Sequence, residues 1–298
     1  MNCNESSRKP ARLPSWVKKR FSCTGEYNKV TGLLDDLHLC TVCSAAHCPN
    51  RSECYGKGTA TFMIMGEICT RGCRFCAVPK GIPAPLREDE PQAIAQASER
   101  MGLKYVVITS VTRDDLPDGG AEHFARTITA LREKTTGVRV EVLTPDFLGS
   151  RSAIDAVLAA NPDVFDHNLE TVERLYEPIR PAGVKGHRPS YSRSLDVLSY
   201  VAGKQSRPRV KSGLMLGAGE TDDETNQALR DLRKAGVEIL TLGQYLAPSA
   251  NHWPVDRYVE PARFEQWREL ALKMGFSTVF AGPFVRSSYR AQEVFEQK

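Results

Sequence analysis

Short apolar segments alternate with amphipathic helical patterns along most of the chain, and this alternation constrains the fold more than any other feature. Six helical patterns separate the apolar segments, and most of them end at a glycine or at Asn161-Pro162. Short buried strands that alternate with helices form parallel βα units, and six or seven units in succession predict a complete or partial barrel. The predicted strands are 59–66, 103–110, 138–146, 162–170, 209–217, 237–246 and 276–284.

Cysteine is concentrated in one part of the sequence. Seven of the nine cysteines lie between residues 40 and 76 of the 298-residue chain. Three of them, Cys69, Cys73 and Cys76, form a C-x3-C-x2-C array directly after the first predicted strand. In βα barrels the reactive residues lie at the C-terminal ends of the strands, which is where this array falls. Such crowding indicates chemistry rather than core packing.

Three thiols at this spacing are compatible with two kinds of metal site. Thiolates are soft ligands that suit zinc or iron–sulfur clusters. Zinc prefers a closed tetrahedral shell, so a zinc site needs a fourth ligand, for example a cysteine from residues 40–54. A cubane iron–sulfur cluster can be held by three thiolates, with one iron left open for an external ligand. A zinc-stabilised binding module would give the predicted βα units no role, so we favour the cluster.

Composition argues against several other classes of protein. The mean hydropathy is −0.36, and no apolar run approaches the roughly 18 residues that cross a bilayer. The polar, basic start of the sequence resembles neither a secretory signal nor a membrane anchor. We therefore expect a cytoplasmic location with reduced thiols and no membrane partner. The net charge of +4 gives no indication of nucleic-acid binding.

The cysteine loop, with Phe75 before its last cysteine, resembles the radical S-adenosylmethionine (SAM) superfamily. The resemblance implies an α/β fold, a partial (β/α)6-type TIM barrel, with a [4Fe-4S] cluster on Cys69, Cys73 and Cys76 whose open iron binds SAM. The segment "GLMLGAGE" (213–220) is similar to the superfamily pattern on the fifth strand, where the backbone of Met215 would contact adenine. Further SAM contacts are expected at Thr109, Ser110, Asn168, Glu170 and Lys211.

Motifs on both sides of the predicted barrel resemble the lipoyl synthase family. They are the C-x4-C-x5-C array of Cys43, Cys48 and Cys54 and the "RSSY" motif at 286–289. The resemblance covers about residues 10–292. It implies an auxiliary [4Fe-4S] cluster on Cys43, Cys48 and Cys54 with a serine hydroxyl as fourth ligand. We favour Ser288, but the sequence does not separate it from the adjacent Ser287.

The resemblance also implies an organisation and a reaction. The expected parts are an N-terminal extension (1–58), a radical SAM barrel (59–275) and a C-terminal extension (276–298). The implied reaction inserts sulfur at C6 and C8 of an octanoyl chain on a carrier lysine, with the auxiliary cluster as sulfur donor and no catalytic residues beyond the clusters. Another sulfur-inserting radical SAM enzyme, such as a methylthiotransferase, is the alternative.

Three kinds of partner are implied. The substrates would be octanoylated lipoyl-carrier domains, namely 2-oxoacid dehydrogenase E2 subunits and the glycine cleavage H protein. An electron donor such as flavodoxin or ferredoxin and an iron–sulfur cluster carrier would serve the clusters. The basic segment 8–21, which includes Lys18, Lys19 and Arg20, would steer an acidic carrier domain.

Some features depart from the family pattern or have no role in it. Ser44-Ala45-Ala46-His47 stands where the family commonly carries two acidic residues. His47 is not expected to be a ligand, because thiols are already available at the right spacing. The loop 181–193 is longer than usual, and its Gly, Pro and basic content predicts an exposed segment of unassigned purpose. We interpret Cys3, Cys23 and Cys40 as free thiols.

Overall fold

Seven parallel strands in sequence order form one sheet in the computed structural model, which describes residues 13–19 and 24–296. All seven predicted strands are confirmed. Cys3, Arg20 and Cys23 lie outside the described residues. The strands are β1 (Thr61–Ile64), β2 (Tyr105–Ser110), β3 (Arg139–Leu143), β4 (Val164–Asp166), β5 (Arg209–Leu216), β6 (Ile239–Gln244) and β7 (Thr278–Gly282).

The sheet has one strand more than the six-unit barrel that the resemblance implies. β7 lies in the segment 276–298, which we predicted to be a C-terminal extension, and it pairs with β6 from Ile239–Thr278 onward. In the residues that the structure describes, β1 and β7 do not pair with each other. The architecture is therefore a partial, open α/β barrel, as predicted, with seven strands.

Helices cover the outside of the sheet and extend it at both ends. The six predicted helical patterns are confirmed as α4, α5, α6, α8, α9 and α10 of the following series. The helices are α1 (Gly25–Asp36), α2 (Val42–Ala45), α3 (Arg51–Gly56), α4 (Glu90–Arg100), α5 (Ala121–Lys134), α6 (Arg151–Ala159), α7 (Glu173–Ile179), α8 (Tyr191–Ala202), α9 (Asp222–Lys234), α10 (Pro261–Lys273) and α11 (Ala291–Glu296).

Local chemistry defines the helix ends. α9 is the clearest case, because the Thr221 hydroxyl accepts a hydrogen bond from the Glu224 amide and the Glu224 carboxylate accepts one from the Thr221 amide. Asp222 and Asp223 occupy its first turn, and Arg233 and Lys234 its last, which complements the helix dipole. Within the described residues, no helix is long and apolar enough to span a membrane.

The bottom of the barrel interior is closed by α11. Val294 packs with Val164 and Ile239, and Phe295 packs beside Tyr105. Three of these barrel residues begin their strands, namely β2, β4 and β6, so α11 fills the N-terminal mouth of the barrel. The opposite mouth, at the C-terminal ends of the strands, is left open for a site.

A buried layer of charges lies in the barrel interior above α11. The Lys211 ammonium is 2.6 Å from the Glu141 carboxylate and 3.8 Å from that of Asp166. Tyr105 donates a second hydrogen bond to Glu141. Burial raises the pKa of Asp166 to about 7, although the charge of Lys211 opposes this shift. The layer is thus a set of compensated charges without solvent access.

The segment between β7 and α11 runs through the same interior. The Lys211 ammonium donates to the Ser287 carbonyl oxygen at 2.7 Å. A Cβ atom at Gly243 of β6 would lie 2.1 Å from the Val285 carbonyl oxygen, so only glycine permits the segment to cross there. This close approach brings the "RSSY" residues into the barrel.

Replacement of Lys211 by Met should destabilise the apoprotein by about 3–5 kcal/mol, because Glu141 would keep a buried charge without its cation. Denaturant unfolding measured by circular dichroism tests this. The double variant Lys211→Met/Glu141→Leu should recover much of the loss. A loss below about 1 kcal/mol in Lys211→Met would contradict the compensated-layer interpretation.

Candidate functional site

A cavity of about 810 Å³ opens at the C-terminal ends of the strands. Its wall combines the cysteine loop after β1, the ends of β2, β4 and β5, the N-terminal segment before β1 and the "RSSY" motif. The structure thus brings both cysteine arrays and most of the predicted SAM contacts to one cavity. The predicted residues that line it are Cys43, Cys48, Cys69, Cys73, Cys76, Thr109, Ser110, Asn168, Glu170, Met215, Ser287 and Ser288.

Backbone bonds fix the start of the cysteine loop against the loop after β2. The Cys69 sulfur accepts hydrogen bonds from the amides of Thr112 at 3.3 Å and Arg71 at 3.4 Å. The Thr70 amide donates to the Thr112 carbonyl oxygen at 3.0 Å. Amide hydrogen bonds to a ligand sulfur tune a metal centre and orient the ligand, so Cys69 is held ready for ligation.

Arg71 ties the cysteine loop to two further loops. Its guanidinium, 3% exposed, donates to both carboxylate oxygens of Asp114 at 2.9 Å and contacts Asp146 at 2.5 Å. Arg193 of α8 approaches the second oxygen of Asp146 at 2.7 Å. Burial alone would raise the pKa of Asp146, but the charge of Arg71 holds it below its ordinary value. This buried, bidentate network fixes where the cysteine loop lies.

The loop 181–193 has a role that the sequence did not reveal. Residues 184–188 are exposed, as predicted, but the beginning of the loop lies against the cysteine loop. The Val184 amide donates to the Thr70 carbonyl oxygen at 2.9 Å, and the Arg74 amide donates to the carbonyl oxygen of Ile179, the last residue of α7, at 2.8 Å. We call residues 181–187 the strap, because they hold the cysteine loop from the outside.

Burial sets the electrostatics of the first array. It raises the pKa of Cys73, and it raises that of Cys76 to about 12. The Arg180 guanidinium lies beside the Cys73 thiol and opposes this effect. The Cys73 and Cys76 thiols are therefore neutral when no metal is bound, and a bound metal must displace their protons. Arg180 supplies positive charge for the thiolates that result.

A hydrogen-bond chain holds Arg180 in place. Arg180 donates to the Tyr176 hydroxyl, which is 2.7 Å from the Ser194 hydroxyl. Ser194 is in turn 2.9 Å from the Nε2 atom of His167, whose Nδ1 atom lies 2.9 Å from the Thr144 carbonyl oxygen. Burial lowers the pKa of His167 to about 4, so it is neutral at physiological pH. The side chains of this hydrogen-bond chain are polar, and Arg180 carries their net charge.

The second array lies before β1 and is similarly buried. Cys43 is in α2, Cys54 is in α3, and Cys48 lies between them. Burial raises the pKa of Cys43 to about 12 and that of Cys54 to about 11, and the charges of the neighbouring cysteines add to both shifts. Arg286 lies beside Cys48 and parallels Arg180 at the first array. Cys54 is not among the cavity-lining residues, so this array enters the cavity through Cys43 and Cys48.

Residues expected to contact SAM form the opposite wall. The Ser110 hydroxyl is buried and has no hydrogen-bond partner in the described part of the chain. Glu170 adopts a left-handed φ of 71°, which its backbone bonds to Gly213 and Met215 of β5 maintain. Burial raises the pKa of the Glu170 carboxyl, while Arg180 opposes the shift. These placements fit a polar ligand, and the individual SAM contacts stay predictions.

The adjacent serines of "RSSY" differ in their partners. The Ser287 hydroxyl donates to the Asn168 side-chain oxygen at 2.6 Å. The Ser288 side chain also lines the cavity, and its hydroxyl makes no hydrogen bond to another residue in the range 13–19 and 24–296. Ser288 is therefore the serine whose oxygen can accept a new partner without breaking an existing bond.

Two lysines lie in surroundings that differ from those expected from the sequence. Lys211 is not among the cavity-lining residues, because it is the third residue of β5 and its ammonium lies in the charged layer with Glu141. Lys19 was expected to steer a carrier, but it forms an ion pair with Glu53 at 2.6 Å and is only 22% exposed. Lys18 is exposed. Any steering by the described part of the basic segment therefore depends on Lys18.

The remaining cysteine of the crowded region lies apart from the cavity. The Cys40 sulfur is 3.3 Å from the Glu67 carboxylate, and Cys40 is not among the lining residues. Burial is the main cause that raises its pKa to about 12. His47 does line the cavity and adopts a φ of 50°.

The donor set fits two iron–sulfur clusters. Both arrays offer three thiols in mostly buried surroundings with an arginine beside one of them, and the seven cysteines of the described residues are free rather than disulfide-bonded. Among these residues, no three His, Cys, Asp or Glu side chains converge closely enough to hold one metal ion. A cubane places each thiolate on a different iron, so its ligands are not required to converge on one point.

Sequence reasoning missed the three arginines of the site. Arg71 lies within the quoted cysteine loop, Arg180 precedes Pro181 in the unassigned loop, and Arg286 begins the "RSSY" motif. Each is more than nine-tenths buried or lies in the cavity wall. Only Arg71 lies close to the cysteines in sequence, and this closeness does not distinguish a buried cation from a solvated one. Arg180 and Arg286 lie far from both arrays in sequence, so no local signal marked them.

Comparisons with known proteins agree with this arrangement. Residues 63–242 match the family model described as the radical SAM superfamily. The chain is 54% identical to a lipoyl synthase of Syntrophotalea carbinolica over 284 residues, 93% of this chain and 88% of the relative. It is 50% identical to a lipoyl synthase of Caldanaerobacter subterraneus over 280 residues, 94% of this chain and 96% of the relative.

Solved structures support the same fold. The FeFe-hydrogenase maturase HydG from Carboxydothermus hydrogenoformans matches with a TM-score of 0.57 and 14% identity, over 73% of this chain and 52% of that one. Methylornithine synthase matches with a TM-score of 0.53 and 14% identity, over 88% of this chain and 76% of that one. At this level of identity the likeness concerns the fold alone.

The strap gives a prediction. A Cβ atom at Gly183 would lie 2.1 Å from the Thr70 carbonyl oxygen, so Gly183→Ala must push the strap away from the cysteine loop. We expect faster proteolysis at residues 184–188 of the apoprotein and about tenfold weaker iron retention. The matched control is Gly32→Ala in α1, where a Cβ atom meets nothing within 4 Å. Equal proteolysis and iron content in both variants would contradict the role of the strap.

Proposed function

Because this chain belongs to the lipoyl synthase family of the radical SAM superfamily, we propose that it inserts two sulfur atoms into an octanoyl chain held on a carrier-protein lysine. The insertion takes place at C6 and C8 of the octanoyl chain. The family is one of enzymes, the radical SAM sulfurtransferases, and it uses a [4Fe-4S] cluster and SAM. The relatives' names give no support to the alternative of a methylthiotransferase.

One observation carries the proposal, namely that cysteines of both arrays line one cavity. A radical formed from SAM abstracts hydrogen only from a carbon within contact distance, and sulfur must then reach the same carbon. A single cavity that is lined by Cys73 and Cys76 of the first array and by Cys43 and Cys48 of the second satisfies both requirements. The open barrel mouth admits a long, apolar acyl chain on a lysine arm.

The residues of the two arrays have different tasks. Cys69, Cys73 and Cys76 would hold a [4Fe-4S] cluster that supplies the electron for SAM cleavage, and Cys43, Cys48 and Cys54 would hold a second cluster that supplies sulfur. Arg180 and Arg286 balance the thiolate charge at the two positions. Asn168, Glu170 and Met215 bind and orient SAM from the strand ends, while the buried layer of Lys211 seals the cavity floor.

Ser288 is the fourth ligand in this proposal. Its support is the Ser288 hydroxyl in the cavity wall, which makes no hydrogen bond to another of the described residues, next to a Ser287 hydroxyl that is already bonded to Asn168. An alkoxide is a harder ligand than a thiolate and a poorer partner for iron in a sulfur-rich cluster. Ser288 would therefore be the weakest ligand of the second cluster, and its corner would be the easiest one to open.

The partners follow from the reaction. The substrates are octanoylated lipoyl-carrier domains, with 2-oxoacid dehydrogenase E2 subunits and the glycine cleavage H protein as the expected carriers. An electron donor such as flavodoxin or ferredoxin reduces the site, and a cluster carrier restores the sulfur that is consumed. The carrier docks at the open barrel mouth, since the lysine arm reaches the cavity from there.

The most direct test is anaerobic turnover with an octanoyl-lysine peptide, SAM and a reductant, followed by mass spectrometry. We expect products with one and two added sulfur atoms and about two SAM molecules cleaved for each complete product, because each C–H bond needs its own radical. SAM cleavage without any thiolated product from the reconstituted wild-type protein would contradict the proposal.

Substitutions in the two cysteine arrays should have different effects on SAM cleavage and sulfur insertion. Replacement of Cys43, Cys48 and Cys54 by Ala should leave 5′-deoxyadenosine formation measurable but abolish sulfur insertion, because hydrogen abstraction needs only the first array. Replacement of Cys69, Cys73 and Cys76 by Ala should abolish both. Chromatography of 5′-deoxyadenosine and mass spectrometry of the peptide measure the two activities. Thiolated product from the first triple variant would place the sulfur donor elsewhere.

The Ser288 ligand gives the sharpest prediction. Ser288→Ala should retain iron on three thiolates but lose sulfur insertion, and Ser288→Cys should retain iron more firmly and also insert less sulfur, because a thiolate closes the corner that must open. Mössbauer spectroscopy and the sulfur count of the product test both variants. Ser287→Ala is the neighbour control, and loss confined to that control would move the ligand to Ser287.

A further inference from the structure

A polar cluster beside the second cysteine array connects it to the segment that carries Ser288. Glu53, which precedes Cys54, is at its centre. The Glu53 carboxylate accepts hydrogen bonds from the Lys19 ammonium at 2.6 Å and from the Tyr289 hydroxyl at 3.0 Å, and Arg290 lies 3.4 Å away. One carboxylate in α3 therefore joins two segments that are more than 230 residues apart in sequence.

Asn50 makes a second connection to the same segment. Its side-chain amide donates to the Phe284 carbonyl oxygen at 2.7 Å, and its side-chain oxygen accepts a bond from Lys19. Asn50 is 1% exposed, so these bonds do not exchange freely with water. The contacts at Phe284 and Tyr289 lie on the two sides of Ser288 in sequence.

Lys19 links the two connections. Its ammonium contacts both Asn50 and Glu53 and also lies 5.2 Å from the ring centre of Phe284 and 5.1 Å from that of Tyr289. The arrangement combines ion pairing, hydrogen bonding and cation–π contacts in a partly buried place, where such contacts are stronger than on an open surface. Lys19 thus completes a cluster, which we call the clamp: Lys19, Asn50, Glu53 and Tyr289.

The segment that carries Ser288 needs such support. Residues 283–290 lie between β7 and α11 and belong to neither a strand nor a helix. The Ser288 hydroxyl makes no hydrogen bond within the described ranges that would fix its position. Its place in the cavity wall, which Cys48 also lines, therefore depends on the neighbours that hold the backbone on each side.

We propose that the clamp positions Ser288 against the second cysteine array, with Glu53 as its central positioning residue. Asn50 and Glu53 lie between Cys48 and Cys54 in sequence. The segment that carries these two thiols would therefore also hold the backbone on both sides of Ser288. The array and its fourth ligand are then set by one local structure rather than by two independent parts of the fold. This inference rests on the proposed function, in which Ser288 is the fourth ligand.

The test compares variants that weaken the clamp with a matched control. Glu53→Gln removes the charge that binds Lys19 and Arg290, and Tyr289→Phe removes one hydroxyl but keeps the ring. The control is Lys57→Ala. Lys57 also contacts Glu53, at 3.2 Å, but it lies at the end of α3, and among the described residues its ammonium pairs with no distant segment. Ser288→Ala serves as the reference for loss of the serine ligand.

Each variant is reconstituted with iron and sulfide, and its Mössbauer spectrum is recorded together with the sulfur count of the product. We expect Glu53→Gln and Tyr289→Phe to retain iron, to shift the second-cluster component toward that of Ser288→Ala, and to lose about tenfold in sulfur insertion. SAM cleavage and the Lys57→Ala spectrum should match the wild type. The double variant Glu53→Gln/Ser288→Ala should insert no less sulfur than Ser288→Ala alone. Both substitutions act on the same interaction, that of Ser288 with the second array, so their effects should not add.

A further measurement uses the apoprotein. Limited proteolysis after Arg286 and Arg290 should be faster in Glu53→Gln and Tyr289→Phe than in Lys57→Ala, because the segment is released. If Glu53→Gln does not fold, Tyr289→Phe carries the same comparison. A wild-type spectrum in the clamp variants, with an altered one in Ser288→Ala, overturns the clamp alone. A wild-type spectrum in Ser288→Ala overturns the ligand assignment and the clamp with it.

Discussion

The buried contact of Arg71 with Asp114 and Asp146 is the interaction on which the site depends most. It joins the cysteine loop after β1 to the loops after β2 and β3, so three strand ends share one guanidinium. A lysine would carry the same charge, but it lacks the planar fork that binds both oxygens of Asp114. Since the three partners are almost fully buried, the loss of Arg71 would leave the Asp114 and Asp146 carboxylates without the cation that they share. The geometry of the first array is thereby coupled to the stability of the barrel.

The interior of the barrel is arranged in layers of different character along its axis. Apolar residues around α11 close the bottom, the ion pairs of Lys211 occupy the middle, and the cavity lies at the top. The apolar bottom layer and the charged middle layer together keep water from entering the cavity through the N-terminal mouth of the barrel. A reactive organic radical survives only where solvent and stray hydrogen donors are kept out, so this order of layers suits the proposed chemistry.

The strands and major helices could be predicted because their signals are local. Each strand is a short apolar run, and helices such as α9 carry capping residues within a few positions of their ends. α1 was missed because only Val30 and Leu34 of its twelve residues are buried, which leaves a weak pattern. α11 was missed because it has six residues. Both helices are stabilised by contacts with the rest of the fold.

The site was predictable where residue type alone carries the chemistry. Ser288 was named only through the family resemblance, and its role, like those of the cysteines and the SAM contacts, stays a prediction. The six cysteines and the polar residues at the ends of β2 and β4 could be named, because crowded thiols and polar strand ends are visible in the sequence. The roles of Arg71, Arg180, Lys19 and Lys211 could not, since each is defined by a partner distant in sequence. Lys211 illustrates the reason: Glu141 lies 70 residues away, and a lysine in an apolar strand gives no sign of its partner.

The path of the segment 283–296 has a consequence for the order of events during synthesis. This segment supplies α11, which closes the barrel, and Ser288, which lies in the cavity wall. All seven strands and both cysteine arrays leave the ribosome before it does. A nascent chain can therefore expose the six thiols of the two arrays and an open barrel for some time, while the proposed Ser288 ligand and the floor of the barrel are still missing. With Ser288 as the proposed fourth ligand, the second array can take up iron on its three thiolates early, but its ligand set becomes complete only near the end of synthesis.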